Sequence, residues 1–287
     1  MIQTQDLEKI VALTLYSSYV ADDKPISLMI ISDRPEAGKT EIVSKFYGNT
    51  GTAFLSDVTA YALFRDFKTQ LQNGTLRHIV IPEFLAPLSR KAETVNSLIS
   101  TLQMLIEEGI MEIHTGFLKP LKLKSPATIG IIICMPRASF KAHQKEWTFS
   151  GFLSRFMVAS YSYDNGTIDD IFDSIEKRDY IGGNGGNKIK LQFPAVSQHV
   201  NIPPAIASQA REMAVKLTSK EREAHLSYGF RELKNVLRMI SAHVIYDNIQ
   251  NNTKRDTATS EDFNEIARLS YLMNDEFNTL KGIDNGI

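Results

Sequence analysis

The chain has 287 residues, with 32 Lys and Arg against 33 Asp and Glu, 43% hydrophobic and 9% aromatic residues. That balance excludes disordered, collagen-like and fibrous classes, and it leaves no global attraction to a polyanion, so nucleic acid would have to be met by a local basic patch. At about 150 residues per domain, the length predicts two domains or subdomains.

The longest apolar run, Ile129 to Met135, falls far short of the roughly 20 residues that a membrane helix needs. The N-terminus shows no basic region followed by an apolar stretch, so no export signal is expected. A single cysteine, Cys134, lies inside an apolar run, which excludes a disulfide framework or a thiolate metal cage and points to a reducing, cytoplasmic setting.

In chain order, Leu7, Ile10, Val11 and Leu15 share one helical face, and Pro25 ends that pattern before the buried-strand run Leu28-Met29-Ile30-Ile31. A loop, Asp33 to Thr40, follows, and then Ile42, Val43, Phe46 and Tyr47 are spaced as one buried side of a helix. Further strands are predicted over Thr52 to Leu55, His78 to Ile81, Thr128 to Met135 and Phe156 to Tyr163. Between the second and third of these, a helix from about Lys91 to Glu108 buries Val95, Leu98, Ile99, Leu102 and Leu105. Strands separated by helices predict a parallel sheet covered on both faces.

The stretch Gly182-Gly183-Asn184-Gly185-Gly186 reads as a linker or loop tip. Beyond it Pro203-Pro204 opens one helix, Phe230, Leu233, Leu237, Ile240 and Val244 stripe a second, and Thr259 to Asp262 is spaced as the cap of a third. No internal repeat is present.

Gly38-Lys39-Thr40 between a strand and a helix carries most of the chemistry. A phosphate loop needs backbone amides and a helix N-terminus converging on the anion, a lysine to neutralise it and a hydroxyl for Mg²⁺. The full pattern also asks for glycine at position 33, where this chain has Asp33. The plain alternative is an ordinary loop before a helix, with Lys39 a solvated lysine, although a cation at a helix N-terminus is unfavourable by about 0.3–1 kcal/mol.

Downstream, Ile79-Val80-Ile81-Pro82-Glu83-Phe84 is an apolar strand ending in a carboxylate and resembles a Walker B strand. In the minichromosome-maintenance helicases, a branch of the AAA+ ATPases, that strand ends in an acidic pair followed by Phe. Here Glu83-Phe84 matches and Pro82 stands in the first acid's place. Ile106 to Ser125 is similar to the end of a long helix leading into an inserted hairpin, and Thr128 to Pro136 to the sensor strand. Leu153-Ser154-Arg155-Phe156 matches the arginine-finger segment, and Gly229-Phe230-Arg231-Glu232-Leu233 resembles the sensor-two helix. The similarity runs from about Met29 to Leu272, and its order and spacing carry it. A bare motor module is expected, without a flanking zinc site or winged helix.

The resemblance implies an α/β fold: a five-stranded parallel αβα P-loop (AAA+) core with N-terminal helix and inserted hairpin over 1–201, and a C-terminal helical lid over 202–287, with nucleotide between them. It implies that Glu36, Ala37, Gly38, Lys39 and Thr40 hold ATP, that Thr40 ligates Mg²⁺, and that Glu83 polarises the attacking water. Arg155 would be the finger reaching a neighbouring subunit and Arg231 the second sensor. A finger acting in trans requires a ring, with a hexamer the natural expectation. Pro82 can ligate no metal, Asp57 is a conceivable substitute acid, and the sensor position falls on Cys134-Met135-Pro136, which hold water poorly. Slow turnover is therefore expected.

In the hairpin, Lys119, Lys122 and Lys124 would contact nucleic acid in the ring's pore, or else serve as lysines that keep an edge strand from aggregating. Trp147 beside Phe140, Phe149 and Phe152 is expected in a core or interface. The histidines lack ligand spacing, so Mg²⁺ is the only metal expected. The expected function is an ATP-dependent, helicase-like module in DNA replication, with a further protein partner supplying targeting. The alternatives are a protein-remodelling ATPase and a nucleotide-stabilised structural ring. Bacterial enhancer-binding activators are disfavoured, because neither their contact loop nor a helix-turn-helix is visible.

Overall fold

A computed structural model describes residues 2–32, 34, 36–115, 118–163, 165–177, 188–219 and 228–273. Helix α1 (Ile2–Tyr16) leads into β1 (Leu28–Ser32), which is buried throughout, and then α2 (Lys39–Ser44) and β2 (Thr52–Phe54). They are followed by α3 (Ala60–Gln72), β3 (His78–Ile81), α4 (Leu85–Leu88) and α5 (Ala92–Gln103), which loosens into a π-type turn over Met104–Glu108. A separate antiparallel hairpin, β4 (Ile110–Thr115) and β5 (Leu118–Ala127), precedes β6 (Gly130–Pro136), α6 (Arg137–Phe149) and β7 (Met157–Tyr161).

The predicted strands pair as a five-stranded, all-parallel sheet in the order β2-β3-β6-β1-β7, an arrangement compatible with a P-loop core. Side chains alternate faces along a strand, and the apolar runs sort accordingly. Leu28, Ile30, Val80, Ile132 and Cys134 enter one apolar cluster, which also holds residues of α1 and α2. Met29, Ile31, Ile79, Ile81, Ile131, Ile133 and Met135 enter the other, against α3, α5 and α6. Each run reads as continuously apolar because both faces are covered.

A close approach between β3 and β6 depends on one glycine. His78 lies opposite Gly130, and its Nε2–H reaches the Ile26 carbonyl at 3.3 Å. A Cβ on Gly130 would sit 2.2 Å from that nitrogen, so only glycine fits. Burial pushes the His78 imidazole down from 6.5 to about 4, against the opposing effect of the Ile26 carbonyl. The folded state therefore keeps His78 neutral while the unfolded chain takes up a proton, so stability is lost as pH falls from 6.5 towards 4. The loss should total about 3 kcal/mol. Chemical denaturation at pH 7, 5 and 4 measures it, and His78→Asn should flatten that part of the profile.

After β7 come α7 (Asn165–Glu176), α8 (Pro204–Leu217), α9 (Phe230–Asn251) and α10 (Ser260–Leu269). α8 opens at Pro204, and Thr259 caps α10 in a capping box with Asp262. α7 stands where only an extension was expected, and none of its residues is buried. The glycine-rich stretch Gly182 to Gly186 lies outside the described residues. Residues of α8, α9 and α10 share the first apolar cluster with α1 and β1, so that cluster runs across position 201. Two stripe residues depart from expectation: Tyr47, beyond the end of α2, and Phe230 are 57% and 70% exposed. Among the described residues no helix is long and apolar enough to cross a membrane.

Candidate nucleotide site

The loop after β1 lies at the C-terminal ends of the strands, since Ser32 is in register with Pro136 of β6 and Tyr161 of β7. Gly38 takes the left-handed conformation, φ 72°, that turns the chain into α2. Tyr161 and Tyr163 both donate their hydroxyls to the Ala37 carbonyl, Tyr163 at 2.8 Å. A trans peptide sends its C=O and N–H in opposite directions, so the Gly38 N–H faces away from the two tyrosines. Burial raises both tyrosine pKa values, which keeps them protonated as donors. Glu36 is exposed and Ala37 buried.

Lys39 is only 6% exposed. Its amine donates to Ser32 Oγ at 2.6 Å and to the Arg34 carbonyl at 3.3 Å. Burial pushes it below the ordinary lysine range, while the Glu83 carboxylate offsets part of that shift. α2 has six residues, so its axial dipole is short and the attraction for an anion rests on Lys39.

Glu83 comes from the turn beyond β3. Its neighbour Phe84 donates its N–H to the Cys134 carbonyl at 3.2 Å and is fully buried beside Trp147 and Phe152, at ring separations of 6.1 and 6.3 Å. That anchor holds the exposed Glu83 where Thr40 Oγ1 donates to its Oε1 at 2.6 Å. Lys39, Thr40 and Glu83 are thus brought together. Asp57 does not serve as a substitute acid here: Arg90 takes its carboxylate in an ion pair and holds it below the usual range. The Cys134 thiol is buried and pushed up to about 12, so it carries no charge into the site.

Arg155 and Arg231 lie at the other end of the sheet. Arg155 ends a short helical turn, Leu153–Arg155, just before β7, and Leu28 pairs with Met157 while Ser32 pairs with Tyr161. One strand length, about 13 Å at about 3.3 Å per residue, therefore separates this end from the loop. Arg155 is turned inward, its Nη1 donating to the Gly151 carbonyl at 2.6 Å and its Nη2 to Glu108 at 2.8 Å. Arg231 donates to Ser154 Oγ, and its Nε lies 3.9 Å from Glu107. The two arginines form one cluster, with Lys234 and Arg238 lining the same recess.

In the hairpin Lys122 is exposed but stands opposite Glu112, which reduces its value as an isolated positive charge. Leu123 is buried and β5 packs on α3. The side chains of Lys119 and Lys124 lie outside the described residues. Trp147, Phe140 and Phe152 are buried as expected, whereas Phe149 is 71% exposed.

Sequence reasoning missed Ser32, Tyr161 and Tyr163. The tyrosine signal was available, because residues two apart on a strand end share a face. Ser32 carried no such mark. No family model matches the chain, and no curated protein matches it.

Proposed function

We propose that the chain is a P-loop nucleotide-binding module of the AAA+ type, similar to the minichromosome-maintenance branch, that binds ATP with Mg²⁺ and hydrolyses it slowly. The observation that carries this reading is the buried Lys39 amine at the C-terminal ends of a parallel sheet, beside the hydrogen-bonded pair Thr40 and Glu83. Open parallel sheets bind ligands at that end.

Lys39 would meet the outer phosphates as a point charge, and the pinned peptide before Gly38 would offer its N–H. The donor set suits Mg²⁺, a hard cation that takes oxygen ligands and keeps several waters. Thr40 would hold the ion, which would neutralise charge on the phosphates. In this reading residues 1–201 are the core and 202–287 the helical lid. Arg155 and Arg231, one strand length from their own loop, would serve the site of the next copy in a ring. DNA as the polymer rests on the exposed Lys122.

A second reading, a ring that binds nucleotide without turning it over, is favoured by Pro82 and by the buried Cys134. Calorimetry with ATP and Mg²⁺ tests the common core: saturable binding is expected, and no heat with ATP or GTP overturns it. Phosphate release with and without DNA separates the rest. Turnover that Glu83→Gln slows supports the ATPase, and binding without release supports the structural ring. DNA binding should weaken steeply with salt and with Lys122→Ala.

A further inference from the structure

Resting on the nucleotide reading above, we infer that Glu83 acts through Thr40 as the positioning residue for the divalent cation of a bound nucleotide, doing the work of the acid that Pro82 replaces. A threonine hydroxyl has one proton and two lone pairs. Here the proton goes to Glu83 Oε1 at 2.6 Å, the short distance of a hydroxyl donating to a carboxylate. The lone pairs are thereby left to a metal, and the hydroxyl oxygen gains electron density. Partners that hold a ligand's other side set its orientation and its strength as a ligand.

The carboxylate is fixed from behind. Phe84 is tied to Cys134 through its N–H and locked between Trp147 and Phe152, so the backbone of Glu83 cannot drift away from Thr40. Pro82, on the other side, has no side-chain acceptor. With Oε1 engaged by Thr40, Glu83 has less capacity left to take a proton from water. One carboxylate then serves two tasks, which makes slow turnover a consequence of the geometry.

The test measures Mn²⁺ affinity by electron paramagnetic resonance at saturating ADP, for wild type, Thr40→Ala, Glu83→Ala, Glu83→Gln and the double variant Thr40→Ala/Glu83→Ala. Both single alanine variants should weaken Mn²⁺ binding about 10- to 100-fold. The double variant should be no weaker than the worse single one, because the two residues act as a unit. Glu83→Gln, whose amide oxygen still accepts from Thr40, should fall between wild type and Glu83→Ala. Metal-free ADP affinity should fall far less than Mn²⁺ affinity in each variant. Unchanged Mn²⁺ affinity in Glu83→Ala, effects that multiply, or loss of metal-free ADP binding would each overturn the inference while leaving nucleotide binding by wild type intact. Failure of wild type to bind ADP with or without metal would overturn the nucleotide reading itself, and this inference with it.

Discussion

Lys39→Met is expected to lower ATP affinity about 100-fold or more while leaving the thermal midpoint unchanged or higher. The affinity loss follows from removing the one cation in the loop that a phosphate would meet in a desolvated setting, a change worth about 2–5 kcal/mol. Stability responds in the opposite direction. Burial penalises the charged amine, which donates to the Ser32 hydroxyl and the Arg34 carbonyl, and holds it below the ordinary lysine range. Those two partners satisfy each other, since Ser32 Oγ donates to the Arg34 carbonyl at 2.7 Å. Methionine fills the channel of the lysine stem without a charge to desolvate. A residue that costs stability where it stands is the signature of a site retained for function. Calorimetry with ATP and a melting curve on the same preparation check both halves. A variant that binds ATP as well as wild type would remove Lys39 from the site, and one that unfolds would overturn the expected stability.

The sheet was legible because each core strand is an apolar run bounded by turn residues, and burial on both faces leaves no alternation to misread. The loop was legible from Gly38-Lys39-Thr40 between a strand and a helix. Contacts formed by distant segments were not. Arg231 could be placed near the start of a helix, but only the packing of α9 against α1 and α8 brings it to Ser154, 77 residues away in sequence. Phe230 fits the periodic stripe of α9 and is exposed all the same, because it is the first residue of the helix and stacks on Tyr228 outside the core. Asp57 was open to being read as a substitute acid because its partner, Arg90, follows 33 residues later, beyond α3, β3 and α4. α7 escaped because its apolar residues Ile171, Phe172 and Ile175 stay exposed and join neither apolar cluster among the described residues.

Arg231→Ala and Arg155→Ala should behave differently, and the difference separates a shared site from a structural cluster. Arg155 is 13% exposed on its side chain and ties the Gly151 carbonyl to Glu108. Its loss should cost about 2 kcal/mol of stability, mostly through the bond to Gly151, because Glu108 is half exposed and its ion pair is weak. Arg231 is 39% exposed and anchored through Ser154. Its removal should leave the fold intact, and an arginine that stabilises charge on a transferring phosphoryl group is worth about 10³-fold or more in turnover. Mixing provides the decisive measurement. In an assembly of Arg231→Ala and Lys39→Met subunits, some interfaces combine an intact loop from the first with an intact arginine from the second. Phosphate release should therefore reappear on mixing two inactive proteins. A loop and an arginine serving the same copy could not be restored this way, and a mixture as inactive as its parts would place Arg231 outside the reaction in trans.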